Sequence, residues 1–412
     1  MTNRLIAIIF IFASAVFGWM ILGGITEYRT ESQDKKLKKA VGQLWGKAQQ
    51  QNAPLVFRSY KELEEVFEKD NIEPKYVTAI RKELRTDVLV KSDIDATLKL
   101  DHRKKGLIWY STYRVDFDAE YVIRNTESVT RDFIFEYEFP TIDGIYDNFA
   151  LAVDGEKVEN LNPLAGFISE KMTLGANEEK IVSLNYSSQG LDEWWYVFGN
   201  NISQVKNVSI TIHTNFDDID FSEQSISPTI KTKTDNGWDL SWEYESLISG
   251  IQVGVVLPQK LNPGPFVSKI SFFAPVSLFL FFFLLFIITL VKKIRIHPMN
   301  FFFLSASFFS FHLLMAYLVD LILLPVAFVI SAAVSMGLVI SYMRLVIGVK
   351  FALIEIGLSQ FIYLVLFSSA FFLPGFTGLA ITILCIVTLF ALMQYTGRLD
   401  WAKLIAEYKN GK

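Results

Sequence analysis

One apolar run opens the chain and five more fill its last third, with polar segments of very unequal length between them. A helix rises about 1.5 Å per residue, so about 20 apolar residues cross a hydrocarbon core roughly 30 Å thick. The runs Leu5 to Gly23, Ile270 to Val291, Met299 to Val319, Leu321 to Met343, Phe351 to Leu373 and Phe376 to Tyr395 all reach that length. The first two are separated by a mostly polar stretch from about Ile25 to Lys269, whereas short loops join the rest. This pattern predicts a six-helix transmembrane α bundle carrying one large domain on one side of the membrane.

Within the polar stretch the period changes. Leu37, Val41 and Leu44 keep three-to-four spacing, and Lys35, Lys36, Lys38 and Lys39 fill the opposite, solvated face of the same predicted helix. Ser59-Tyr60-Lys61-Glu62 fits a capping box, and Pro74 suits the first turn of a further helix ending near Arg85. From about Asp93 the period is two. Tyr113, Val115 and Phe117 alternate with polar neighbours, as do Phe133, Phe135, Tyr137 and Phe139, and Val208, Ile210 and Ile212. Asp154-Gly155 and Asn236-Gly237 lie between such runs, where positive φ at both central positions turns a hairpin. Repeated strands without interleaved helices predict a mainly antiparallel, sandwich-like β domain preceded by short helices. Pro258, Pro263, Gly264 and Pro265 read as a stiff linker into the second span, and Pro275, Pro298 and Pro325 as prolines near helix starts. The plan is an anchor over 1–24, a helical extracytoplasmic segment over 25–92, a β-rich domain over 93–267, a five-helix membrane domain over 268–397 and a tail over 398–412.

Basic residues give the orientation. Lys292-Lys293-Ile294-Arg295 forms a short loop without acids, which favours the cytoplasm. Arg4, Arg344, Lys350 and the tail residues Arg398, Lys403, Lys409 and Lys412 fall on that same side by counting spans. Both termini are then cytoplasmic and residues from about 25 to 269 extracytoplasmic, that is, periplasmic in a Gram-negative cell. The first run is longer than the about 7–15 apolar residues of a signal peptide and lacks a small-x-small end, so it reads as an uncleaved anchor, against the rival reading of cleavage after Gly24, which would leave five spans.

Composition changes little. Hydrophobic residues make up 51% of the 412, an average that a large soluble protein also reaches, so their distribution decides. A net charge of −4 gives no reason to expect nucleic acid, and the single cysteine, Cys385, cannot form a disulfide within the chain. His102, His213, His297 and His312 share no metal-ligand spacing, and no phosphate loop or nucleophile turn is present. The expectation is a protein that is not an enzyme, needs no cofactor or metal, and has the lipid bilayer as a partner.

Ionisable residues in spans are costly and mark candidate sites. His312 is about 20 Å deep from the cytoplasmic start of its span, Gln360 about 15 Å and Glu355 about 7 Å. Gln360 is thus level enough to hydrogen-bond His312 if the third and fifth spans pack, and Glu355 is shallow enough for Lys350 or Arg344 to reach by snorkelling. Asp320 falls in a turn and should be wet. In the outer domain Arg103, Trp109, Trp194 and Trp195 are candidate surface residues for stacking on a glycan, against the plainer reading that such aromatics pack the core.

Three segments resemble the CreD family of bacterial inner-membrane proteins. They are Leu100-Asp101-His102-Arg103-Lys104-Lys105-Gly106-Leu107-Ile108-Trp109-Tyr110-Ser111-Thr112-Tyr113-Arg114-Val115-Asp116-Phe117, then Arg295-Ile296-His297-Pro298, then Thr396-Gly397-Arg398-Leu399-Asp400-Trp401. The order of anchor, outer domain and helix cluster is also similar. The third span ends in Tyr317-Leu318-Val319-Asp320, where the family usually has a Ser-Glu-His-like sequence. The resemblance implies a role in envelope integrity or in the response to cell-wall antibiotics, and no reaction. Arg295, His297 and Pro298 would fix the start of the third helix, and Arg398, Asp400 and Trp401 would anchor the end of the last.

Overall fold

The computed structural model describes residues 2–66, 75–106, 108–199, 203–250 and 252–397. Two compact units emerge, one made of Met1–Lys35 with Leu261–Lys412 and the other of Lys36–Lys260. The first helix, α1 (Thr2–Trp45), begins as the first apolar run and continues through the charged stretch, which contains no proline to break it. Gly46 ends it. Its φ is +95°, its N–H returns to the Gly42 carbonyl at 3.1 Å, and a Cβ there would lie 2.1 Å from the Gln189 carbonyl oxygen. Only glycine fits such a helix end. The predicted three-to-four spacing is used by Leu37 and Val41, which pack with Ile108, Tyr110 and Leu191.

The short helices expected over the next 40 or so positions are strands, which corrects that part of the plan: β1 (Gln49–Asn52), β2 (Leu55–Val66) and β3 (Lys75–Leu84). Ser59 to Glu62 lie inside β2, where β3 and β6 (Arg131–Glu138) pair with the backbone that a capping box would have used. Non-local partners override the local helix signal. Pro74 lies outside the described residues.

The strands of the second unit form three sheets. An eight-stranded sheet runs β14-β15-β12-β4-β5-β10-β7-β8. Here β4 is Leu89–Lys105, β5 Ile108–Arg124, β7 Tyr146–Val153, β8 Glu156–Lys157, β10 Glu179–Leu191, β12 Ser203–Thr214, β14 Ile230–Thr234 and β15 Gly237–Ser249. A four-stranded sheet runs β3-β2-β6-β9, with β9 at Phe167–Leu174. Another runs β1-β11-β16-β13, with β11 at Glu193–Val197, β13 at Asp220–Phe221 and β16 at Val253–Val256. Pairing is antiparallel except for β12 with β4 and β1 with β11. The expected alternation holds, since Tyr113, Val115 and Phe117 are all buried in one core with Phe133, Phe135, Trp194, Trp242 and Val253 from all three sheets. Each such side chain contributes roughly 1.5–3 kcal/mol by leaving water.

Asp154 and Gly155 turn the β7–β8 hairpin with φ of 51° and 81°. The other predicted hairpin forms one residue earlier. Thr234 pairs with Gly237, so Asp235-Asn236 makes the corner and Gly237 begins β15.

The other unit contains helices long and apolar enough to cross a membrane, six in all with α1. They are α2 (Pro263–Val291), α3 (Pro298–Leu318), α4 (Leu324–Ile347), α5 (Val349–Phe372) and α6 (Thr377–Thr396). The order is thus one helix, the β unit, then five helices, in a multipass membrane protein. Pro263 and Pro265, expected in a linker, begin α2, so Pro275 lies inside that helix and not near its start. The phenylalanines divide into two sets. Phe281 packs tilted against Phe308 at 4.7 Å and Phe311 meets Phe328 edge-on at 5.4 Å, whereas Phe10, Phe17, Phe279 and Phe390 face outward. In water such exposed rings would be a liability, but hydrocarbon is a suitable solvent for them. Gly23 lets the Phe272 ring approach within 3.1 Å of where its Cβ would be, and Ser268 donates to the Gly23 carbonyl at 3.2 Å.

Candidate functional site

Small polar side chains are gathered on the inner faces of the membrane helices. Ser271, Ser277, Ser331, Ser335, His312 and Gln360 are each no more than 1% exposed. His312 rises from α3 with Nδ1 3.1 Å from the Phe308 carbonyl oxygen. That oxygen is an acceptor, so Nδ1 carries the proton and Nε2 is left as an acceptor. No protein group bonds Nε2. The Trp19 ring stands edge-on at 5.5 Å, itself fully buried, and its indole N–H is likewise without a partner.

Gln360 does not bond His312 as the depth count predicts. It donates to Ser335 Oγ at 2.9 Å, and Ser335 donates to the Ser307 carbonyl at 2.6 Å. The cause is in α5, which is not a straight α-helix. Two π-helical stretches, Ala352–Gly357 and Phe361–Leu366, bracket Gln360. Each replaces i→i+4 bonding by i→i+5 and turns the following side chains about the axis, so residue counting misplaces them. The π geometry also exposes carbonyls, and Ser277 of α2 donates to that of Tyr363. Tyr363 in turn donates to Thr388 of α6 at 2.9 Å.

Orphaned atoms recur on these inner faces. Ser331 lies one turn from Ser335 on α4, and its hydroxyl lacks a partner, as do Ser271 Oγ and Gln360 Oε1. Buried polar atoms are nearly always bonded, so a group of orphans on neighbouring helices needs an explanation. Chemically these side chains offer two acceptors (His312 Nε2, Gln360 Oε1), one donor (Trp19) and two hydroxyls that serve as either. Sequence reasoning found His312 and Gln360 but missed Trp19, Ser271, Ser331 and Ser335. The signal was the i, i+4 pair Ser331 and Ser335 on one face of α4, which reads equally as close helix packing.

Glu355 pairs with Lys292 at the end of α2, and not with Lys350 or Arg344, which are exposed. The α2 terminus lies beside α5, so the ammonium crosses between helices without leaving their contact. Asp320 is about one-third exposed, as its turn position implies, and bonds Arg29 at 2.9 Å. His297 caps α3, its Nδ1 accepting from the Met299 N–H at 3.3 Å, with Pro298 as the first helical residue. Arg398, Asp400 and Trp401 lie outside the described residues.

The β unit gathers two of its four candidates. Arg103 lies over the Trp45 ring at 3.5 Å and bonds Asp101 at 2.6 Å, while Lys104 and Lys260 lie 5.9 and 4.3 Å from the Trp109 ring. Together they make a cationic, aromatic surface at the β4–β5 hairpin end. Trp194 corrects its prediction: it is fully buried, its ring 6.3 Å from Phe117 in the core. Trp195 is half-buried and covers Gly254. Alternation along β11 explains both, since neighbours on a strand face opposite ways. Among the described residues no three His, Cys, Asp or Glu side chains are grouped as a metal site would need.

No protein-family model matches the sequence, and no curated protein matches it. Among solved structures, a Legionella pneumophila protein provisionally described as nutrient binding is similar over 47% of this chain and 74% of its own, with 10% identity and a TM-score of 0.31. Likeness at that level carries no functional argument.

Proposed function

We propose that the chain is a CreD-like protein of the bacterial inner membrane that serves envelope integrity by binding an envelope lipid, glycan or protein through its β unit, without catalysing a reaction. Both termini are cytoplasmic and residues from about 25 to 269 extracytoplasmic in this reading, which the basic Lys292 to Arg295 loop supports. The observation that carries it is the cationic, aromatic end of the β4–β5 hairpin. Arg103 and Trp109 belong to the segment that resembles the family, and their cation–π pairs with Trp45, Lys104 and Lys260 hold flat and charged groups at the surface. Such a surface suits an anionic or sugar-bearing partner. A photo-crosslinking residue at Trp109 in intact cells should capture an envelope component that is lost with Arg103→Glu. Capture at background level counts against the reading, as does a reporter near Asn148 on the same side as one at the carboxyl terminus.

A second reading, a transporter or sensor-transducer, is supported by the orphaned polar atoms around His312. Groups that are costly in a membrane are retained where they bind or relay something. His312→Leu separates the two readings, because a binding protein of the first kind keeps its activity.

A further inference from the structure

A groove of about 450 Å³ runs between α2, α5 and α6. Its wall is apolar, with Leu284, Ile288, Leu384, Val387 and Ala391 along it. From Leu384 to Tyr395 the wall extends about 16 Å at the helical rise. One leaflet of a hydrocarbon core roughly 30 Å thick has about that depth. The deep polar groups are already engaged, since Tyr363 is bonded to Thr388 at 2.9 Å. The other end is different. There the Lys292 ammonium meets the Glu355 carboxylate and lies 5.3 Å from the Phe351 ring. An ammonium has three N–H donors, and Glu355 takes one. The second carboxylate oxygen, Glu355 Oε2, is bonded by no protein group although it is buried.

We propose that this groove binds one phospholipid with an ammonium-bearing headgroup: an acyl chain fills the apolar wall, the phosphate accepts from Lys292 and the headgroup ammonium donates to Glu355 Oε2. Cation and anion side by side match a zwitterion in both signs. An anionic lipid satisfies Lys292 but leaves Glu355 facing a second negative charge, so the site discriminates against it. Plain solvation of a greasy helix face makes no such distinction, and headgroup choice is therefore the property to measure.

The test uses the full chain in nanodiscs containing equal amounts of phosphatidylethanolamine and phosphatidylglycerol, with retained lipid read by native mass spectrometry after release into mild detergent. The wild type should keep one phosphatidylethanolamine per chain in preference to phosphatidylglycerol. Glu355→Gln keeps the shape and removes the charge, and should reduce that preference about ten-fold. Ala391→Trp fills the groove and should lose the lipid. Retention of both lipids in proportion to supply by the wild type overturns the proposal, as does undiminished retention by Ala391→Trp. If Ala391→Trp fails to insert, phosphatidylethanolamine with a photoactivatable chain decides on the wild type. Labelling concentrated between Leu384 and Tyr395 supports the site, and equal labelling of outward-facing α3 and α4 peptides overturns it.

Discussion

The two units treat buried polar groups differently. In the β unit Gln51, fully buried, accepts from Tyr137 at 2.6 Å and Tyr186 at 2.9 Å and donates to the carbonyls of Asn52 and Glu138, so its side chain is fully used. The Tyr121 and Tyr196 hydroxyls meet beside it at 3.2 Å. Burial raises the pKa of all four tyrosines above the ordinary phenol range, so the node carries no charge at any ordinary pH. In the helical unit the corresponding polar groups are half used: His312 spends one nitrogen, Gln360 spends its amide, and Ser331 and Trp19 spend nothing. The β unit has orphans too, on Gln49, Arg58, Trp194 and Ser222, and Gln49 and Trp194 are paired positions of β1 and β11. A satisfied network specifies one packing, whereas unfilled buried donors and acceptors leave bonding capacity unused.

The largest expected effect follows from the satisfied side. Gln51→Leu leaves the Tyr137 and Tyr186 hydroxyls without an acceptor in a dry core and should cost on the order of 2–4 kcal/mol. Denaturant unfolding of the full chain, followed by tryptophan fluorescence, would show it as a lower midpoint for the β unit. An unchanged midpoint would mean that the node is not structural, and the contrast between the units would fail.

Acid tests the β unit next. Hydrogen bonds from Arg131, Arg58 and Arg85 hold the Glu127 carboxyl down at about 2, and a hydrogen bond from Arg85 holds Asp87 at about 2 against the opposing effect of burial. Both folded values lie below the unfolded ones of 4.5 and 3.8. The stability they give is therefore complete above about pH 4.5 and is lost as pH falls towards 2. Unfolding midpoints measured at pH 6 and pH 3 should differ more for the wild type than for Glu127→Gln. Equal differences would show that the arginine cluster is ornamental.

A smaller effect has the opposite sign. His213 lies between Asp239 at 2.7 Å and Asp95 at 3.2 Å. Burial works against its charge, but the two carboxylates outweigh it and raise its pKa above 6.5. The two ion pairs stabilise the fold fully below pH 6.5 and fade as pH rises through the folded value. Half-exposed partners limit this to under about 1 kcal/mol. Asp239→Asn should lower the pKa read from the His213 ring proton resonances, and no movement would remove the bridge from the account.

How much of this was legible depended on whether an element is determined locally. Apolar length alone located the membrane helices, and period two located β5, β6 and β12. Ser59 to Glu62 looked helical because capping chemistry is local, but the partners that make β2 a strand are Lys75–Leu84 and Arg131–Glu138, remote in sequence. Trp194 looked like surface because its neighbour Trp195 shares its chemistry, and only sheet pairing assigns one of them to the core. In the candidate site the depth count placed His312 and Gln360 at similar levels but assumed a straight helix. No residue in Ala352–Gly357 or Phe361–Leu366 signals a π turn by type, so the rotation that directs Gln360 to Ser335 was unreadable.

The substitution expected to do least to stability separates the two units most sharply. His312→Leu removes a nitrogen that bonds nothing and another that bonds only the carbonyl one turn back in its own helix. Polar contacts in membrane bundles average about 0.6 kcal/mol, and leucine keeps most of the contact with Trp19 and Phe311. Insertion and the unfolding midpoint should therefore stay close to wild type, in contrast to Gln51→Leu. If His312→Leu is as destabilising as Gln51→Leu, the helical cluster is as structural as the β node and the two units do not differ. With stability intact, the variant's ability to restore envelope resistance in a deletion strain tests the envelope role proposed above. Full restoration leaves the β unit as the working part, and loss of restoration in a normally inserted chain assigns the work to the orphaned atoms around His312.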